Sequence, residues 1–239
     1  YTVLHEAVHG TISGSHKSLR WLNEAMGYAA AFVLMIPLTA HRHEHLAHHR
    51  NTNNEEHDPD YVFSARRKSL LDWAQALWQG YTTQYRYYLQ HRWAVDRAGQ
   101  NRRFVTEIAV AAGARVAFLA QGYWLEGAVM ILVGGIGGIG LLMFLFAYIV
   151  HRPHEDEGRY RDTSTILAPA WCDGLVTWVW LFQNYHSIHH LFPRVPFYTY
   201  RRIFEKIRPA MEAHDAPIYQ LALDGLHKQP TDIRLSPAR

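Results

Sequence analysis

Three short stretches of this chain hold histidines at helical spacing. They are HEAVH, with His5 and His9; HEHLAHH, with His45, His48 and His49; and HSIHH, with His186, His189 and His190. On an α-helix, side chains three and four residues apart share a face, with Cβ atoms about 5–6 Å apart. Each stretch can therefore aim two or three imidazoles at one point. Imidazole suits iron, zinc, copper and nickel alike. Eight histidines exceed the four ligands of a single zinc and suit two metal ions with open positions. A lone histidine is ordinarily a surface or core residue. Two copies of H-x-x-H-H beside an H-x-x-x-H are not explained that way.

HEAVH also reads as H-E-x-x-H, the zinc protease pattern in which Glu6 would be the general base. Asp173-Gly174 could then supply the distant acidic motif of an intramembrane protease. That reading leaves the six histidines of two repeated stretches without a role. A third reading is a metal- or lipid-binding membrane protein without turnover. No residue reads as the nucleophile of a triad.

The elements that must position these groups alternate between apolar and polar. Residues 25–40 are almost wholly apolar but number only 16, short of the roughly 20 needed to span a bilayer, and Pro37 interrupts them. Residues 41–61 are His-rich and end in the turn-forming EEHDPDY. Residues 62–107 mix aromatic and basic side chains, as at a membrane–water boundary. From Gly127 to Val150 there are 24 residues without a charge, which reads as a transmembrane helix. Gly134 and Gly138 lie in G-x-x-x-G spacing, suited to close helix packing. Ile108–Trp124 reads as the opposite leg of a hairpin turning near Glu126, with Arg115 inside it at a cost unless it faces protein or snorkels. Ile166–Phe182 is apolar and Trp-rich and carries Asp173. The residues from Arg201 onward read as a soluble helix and a loose end. A hairpin returns the chain to the side it left, so the second and third histidine stretches meet, and residues 25–40 must not fully cross.

Composition narrows the rest. The 239 residues carry 24 Lys and Arg against 21 Asp and Glu, a net charge of +3, so nothing suggests a nucleic-acid partner. Cys172 is the only cysteine, which excludes an internal disulfide or a cysteine-based metal site. The mean hydropathy of −0.22 averages long apolar runs with His- and Arg-rich ones. The chain starts at Tyr1 and reaches HEAVH within four residues, so further residues are expected upstream.

HEAVHG, HLAHHRNTN followed by HDPD, HRPH, and QNYHSIHHLFPRVPFYTY resemble the membrane fatty acid desaturase superfamily. The last two are most similar to its carotenoid-modifying branch, the cyanobacterial-type β-carotene hydroxylases and carotenoid ketolases. The likeness runs from about Leu4 to Arg208. It implies an all-α integral membrane protein: transmembrane helical hairpins under a cytosolic helical cap that carries the histidines. The desaturase-like domain would be residues 1–208, lacking the family's first membrane hairpin, with a soluble tail at 209–239. The resemblance implies two non-heme iron ions, with His151 of HRPH joining the eight histidines as a ligand and His154 a weaker candidate. His16, His41, His43 and His57 remain supporting or surface groups. Glu6, Asp58 and Asp60 are candidates to orient imidazoles. For Glu6 the protease role stays open, and for the two aspartates a simple turn does. The implied chemistry is O2-dependent hydroxylation or desaturation of an unactivated C–H bond in a fatty acyl chain or carotenoid. Electrons would come from a ferredoxin or small cytochrome with its reductase. Basic segments 92–103 and 201–208 could dock that donor or face lipid headgroups. The expected location is a bacterial inner membrane or its equivalent, histidines on the cytoplasmic side.

Overall fold

The computed structural model describes residues 1–66 and 69–230. Helix α1 (Thr2–His9) buries Leu4 and Ala7 against α2 (Trp21–Leu34), where they join Ala31, Ile36 and Leu38 in one apolar cluster. Burying a side chain such as Leu4 stabilises by about 1.5–3 kcal/mol. Gly10 ends α1 at φ 73°, in the left-handed region, where a residue without Cβ is least strained. Met35, Ile36 and Pro37 then break the chain, and Lys17–Leu34 meets α3 (Leu38–Asn51) at 98°. The break divides the apolar run 25–40 between two helices, which together are apolar enough for a broken span or a re-entrant loop.

A short helix α4 (Tyr61–Ser64) precedes α5 (Leu70–His91). A reciprocal capping box starts α5: Ser69 Oγ accepts from the Asp72 amide and the Asp72 carboxylate accepts from the Ser69 amide. Helix α6 (Gln100–Ala120) packs on α5 through Tyr88 and Phe104, whose rings stack with centroids 4.5 Å apart. The chain turns at Gln121–Tyr123 and continues as α7 (Trp124–Tyr148), which includes two wider π-helical stretches. Among the described residues α7 is the one unbroken helix long and apolar enough to cross a membrane. The apolar side chains of its first half face outward, with Ile131 60% and Val133 67% exposed, and Met143 further on is buried.

Two expectations change here. The turn lies before Trp124, and Glu126 sits in the first turn of α7; Gly122, at φ 94°, makes the reversal. Gly134 and Gly138 meet no side chain among the described residues. Gly135 and Gly140 instead face Tyr81 and Leu77 of α5. Arg115 meets one of the two alternatives expected of it, facing protein: its guanidinium donates to the Phe32 and Val33 carbonyls at 3.0 and 2.9 Å and to Ala111 O at 3.0 Å. It thus caps the C-terminal end of α2, where carbonyls lack helical partners.

The C-terminal third is not wholly α. Strand β1 (Thr165–Leu167) precedes α8 (Asp173–Val179), α9 (His186–Leu191) and α10 (Tyr200–Ala213), and β2 (Ile218–Ala222) and β3 (Gly225–Lys228) follow. The sheet order is β1-β2-β3, parallel then antiparallel. Thr165 pairs with Ile218, a contact that strands of three to five residues do not announce in local pattern. Residue 208 lies inside α10, whose Tyr200, Phe204 and Met211 pack with Tyr185 and Ile188 beside the third histidine stretch.

Candidate metal centre

Four chain segments bring their imidazoles to one place. Helix α1 supplies His5 and His9, α3 supplies His45, His48 and His49, the chain just after α7 supplies His151, and α9 supplies His186, His189 and His190. Potential ligand atoms of His5, His9, His45, His49 and His189 all lie within 4.8 Å of one another, and those of His48, His151 and His190 form a second such group. His186 falls outside both groups, with its ring centroid 4.9 Å from His151 and 4.8 Å from His190.

The nitrogens meet face to face. In the first group the Nε2–Nε2 separations are 2.9 Å for His5–His189, 2.9 Å for His9–His45, 3.1 Å for His45–His49 and 2.8 Å for His49–His189. In the second, His48 and His151 are 3.1 Å apart.

Several of the opposite nitrogens lie beside oxygen acceptors, which favours the tautomer with its proton on Nδ1. His48 Nδ1 donates to Asp58 Oδ1 at 2.8 Å, His189 Nδ1 to Tyr200 Oη at 2.9 Å, and His186 Nδ1 to Gln183 Oε1 at 2.9 Å. His151 Nδ1 donates to the Ala147 carbonyl and His5 Nδ1 to Glu6 Oε1 at 3.3 Å. Where Nδ1 carries the only proton, as the acceptors beside His5, His151, His186 and His189 favour, Nε2 presents a lone pair to its neighbours. Converging lone pairs are what a cation satisfies. His190 Nε2 is buried without a hydrogen-bond partner, a cost of about 1–3 kcal/mol for a polar atom that nothing satisfies. The donor set therefore fits metal ions, with the far nitrogens held as in known imidazole–metal sites.

Burial sets the charge. It holds His9, His45, His49, His186, His189 and His190 well below the ordinary imidazole range, and neighbouring imidazoles lower them further. His151 falls to about 3, first through burial and then through His48. These imidazoles are neutral near pH 7, the form that ligates. His48 goes the other way: burial opposes its charge, but Asp58 raises it to about 9. Asp58 thus stabilises positive charge at His48, whether a proton or a metal ion carries it.

Asp58 does a second task, accepting from the amides of Asn53 and Asp60 at 2.9 and 2.8 Å, so the turn reading and the orienting reading both hold. Glu6 faces backward, accepting from Thr11 Oγ1 at 2.6 Å and from His5, a positioning geometry rather than that of a free base. Asp60 pairs with Glu44 instead of a histidine, and burial raises both carboxyls. Asp173 lies outside both groups and pairs with Arg201 at 2.9 Å, so the partner that a protease would need is engaged elsewhere. His154 donates to Ser64 O and joins neither group. His41 is buried beside Glu44, His43 bonds Gln100, and His16 and His57 are exposed. Tyr200, Gln183 and Thr52 had no signal in histidine spacing. Thr52 Oγ1 lies 3.3 Å from His190 Nδ1.

A cavity of about 80 Å³ joins this centre to the apolar helix. Its lining includes His5, His45, His48, His151 and His186, the apolar Phe63, Ile139, Leu142, Met143 and Phe146, and the polar Glu44, Asp60 and Gln84.

The fold and site define a mainly helical chain with one apolar span that ends beside two histidine groups able to hold metal ions. Comparison with known sequences gives the family: the model described as fatty acid desaturase matches residues 1–222, and the chain belongs to that family. It is 26% identical over 248 residues to an sn-1 acyl-lipid omega-3 desaturase (ferredoxin) of Synechocystis, covering 92% of this chain and 67% of that protein. It is 25% identical over 253 residues to an acyl-lipid (8-3)-desaturase of Thraustochytrium, covering 92% of this chain and 55% of that one. A bifunctional fatty acid conjugase/Delta(12)-oleate desaturase of Punica granatum is 33% identical over 73 residues, 30% of this chain and 17% of the relative. The chain thus spans little more than half the length of the Thraustochytrium relative and a sixth of the Punica one.

Proposed function

We propose that this chain is an O2-dependent di-iron oxidoreductase of the membrane that desaturates or hydroxylates a long acyl chain of a lipid. The observation that carries this reading is the cavity lined both by imidazoles and by the end of α7. His5, His9, His45, His49 and His189 would hold one iron; His48, His151 and His190 would hold the other, with His186 beside them. Bound there, the iron pair would supply the O2-derived oxidising power to take hydrogen from an unactivated C–H bond. The chain's own part is positioning. Phe63, Met143 and Phe146 hold a methylene segment beside the imidazoles, and their apolar surface excludes water. Asp58, Tyr200, Gln183 and Glu6 fix ring orientation.

Helix α7 would cross the bilayer, with the histidines on the cytoplasmic side of a bacterial inner membrane or its equivalent. The ferredoxin in the Synechocystis relative's name favours a ferredoxin as the electron donor. The relatives described above are acyl-chain enzymes, which favours an acyl substrate. Ring hydroxylation of a carotenoid is the second reading, supported by the likeness of HRPH and QNYHSIHHLFP to the carotenoid branch.

The test is metal analysis of detergent-purified protein and of His189→Ala. The expected result is about two irons per chain, at least halved in the variant. One zinc, unaffected by His189→Ala, would overturn the reading in favour of a protease. Lipid and carotenoid profiles of an expressing host then separate the two substrates.

A further inference from the structure

A second concave site lies on the opposite side of the α2–α3 break from the metal centre. It is a groove of about 300 Å³ between α2 and α6, closed at one side by Tyr85 of α5. Ile36 of the break faces the metal-centre cavity, whereas Met35 and Pro37 line the groove. The two spaces are therefore distinct.

The groove is graded in polarity. Its lower walls are Ala31, Phe32, Val110 and Ala111, and its mouth carries Arg102 and Arg103. Both arginines are exposed, and among the described residues neither makes an ion pair or hydrogen bond. From Arg103 to Ala111 the α6 axis rises about 12 Å, so cationic mouth and apolar floor are separated along one helix. The level is also defined. His43 Nε2 lies 3.1 Å from Gln100 Oε1, so the start of α6 sits beside the histidine-bearing α3, at the end of the molecule where α7 meets the metal centre.

The other charged groups nearby have partners, Glu107 through one oxygen only, its Oε2 being buried without one. Arg115, deeper on α6, caps the α2 carbonyls. Arg42 pairs with Glu24 at 2.6 Å. Glu107 accepts from both the amide and the hydroxyl of Thr39 through Oε1. Two free guanidinium groups remain at the mouth of an apolar trough. A guanidinium recognises phosphate by paired hydrogen bonds, and an apolar trough recognises hydrocarbon.

We propose that this groove binds an anionic phospholipid, with its phosphate on Arg102 and Arg103 and an acyl chain laid between α2 and α6. The site is separate from the metal centre and does not depend on the reaction proposed for it.

Native mass spectrometry of the full detergent-purified chain tests this with phosphatidylglycerol and phosphatidylcholine as probes. The expected result is one retained phosphatidylglycerol, bound at least about tenfold more tightly than phosphatidylcholine. Arg102→Gln/Arg103→Gln should abolish that preference. Arg86→Gln/Arg97→Gln, which removes the same charge elsewhere, should preserve it. Glycerol 3-phosphate, which has the phosphate without the chain, should not displace the lipid. Equal retention of the two lipids, equal loss in both arginine pairs, or displacement by glycerol 3-phosphate would each overturn the proposal. All four substituted side chains are exposed, and unchanged melting temperature and iron content confirm that the variants fold.

Discussion

Asp58 reaches His48 from the turn that follows α3, and the same carboxylate holds that turn through two backbone amides. Asp58→Asn keeps the shape but removes the charge that stabilises a cation on His48. Metal affinity should fall about 10–100-fold, read as iron retained against a graded series of chelator. Tyr200→Phe leaves His189 Nδ1 without its acceptor and should weaken iron retention in the same direction. Because Tyr200 is fully buried, its melting temperature must be recorded alongside. The histidines themselves were legible from spacing, since i, i+3 and i+4 positions on one helix face each other whatever the fold. Their outer partners were not. Tyr200 is 11 residues from His189 and Asp58 is 10 from His48, and each pair lies on two separate elements, so no periodicity within one element links them.

At the level of elements, α1, α2 and α3 hold two of the histidine stretches in a fixed relation. A Cβ on Gly27 would lie 2.8 Å from Leu38 Cδ2 and 2.9 Å from Ala7 Cβ. Gly27→Ala should therefore destabilise by about 1–3 kcal/mol, seen as a lower melting temperature. It should also lower iron content, because Ala7 and Leu38 belong to the helices that carry His9 and His45. Arg115→Leu removes the donors from the Phe32 and Val33 carbonyls. It should cost a similar amount, with new protease cleavage near the α2–α3 break as the readout. From sequence, Arg115 inside an apolar leg had to face protein or snorkel. The missing fact was the end of α2, which terminates beside it and needs a donor. The break itself was legible, since Pro37 and an apolar run of 16 residues set its place and limit its reach.

Across the whole molecule, two histidine groups join the N-terminal helices to the C-terminal third. His5 and His189 are 184 residues apart in sequence and 2.9 Å apart in space. A metal ion in the first group would bind the folded chain and not the unfolded one, so chelation should lower the melting temperature. A site filled at 100 times its Kd contributes about 2.7 kcal/mol. Thermal unfolding with and without chelator, then after adding ferrous iron back, measures this. The three histidine stretches, the apolar length of α7 and the bend at Pro37 were determined by the sequence alone, because each depends on neighbours within a turn or two of one helix. The tertiary structure alone decided that the histidines divide into groups of five and three, that His186 stands apart, that Arg115 caps α2, and that residues 165–167 pair with 218–220. Those facts depend on how separate elements pack, and packing is set by the shapes of surfaces far apart in the chain.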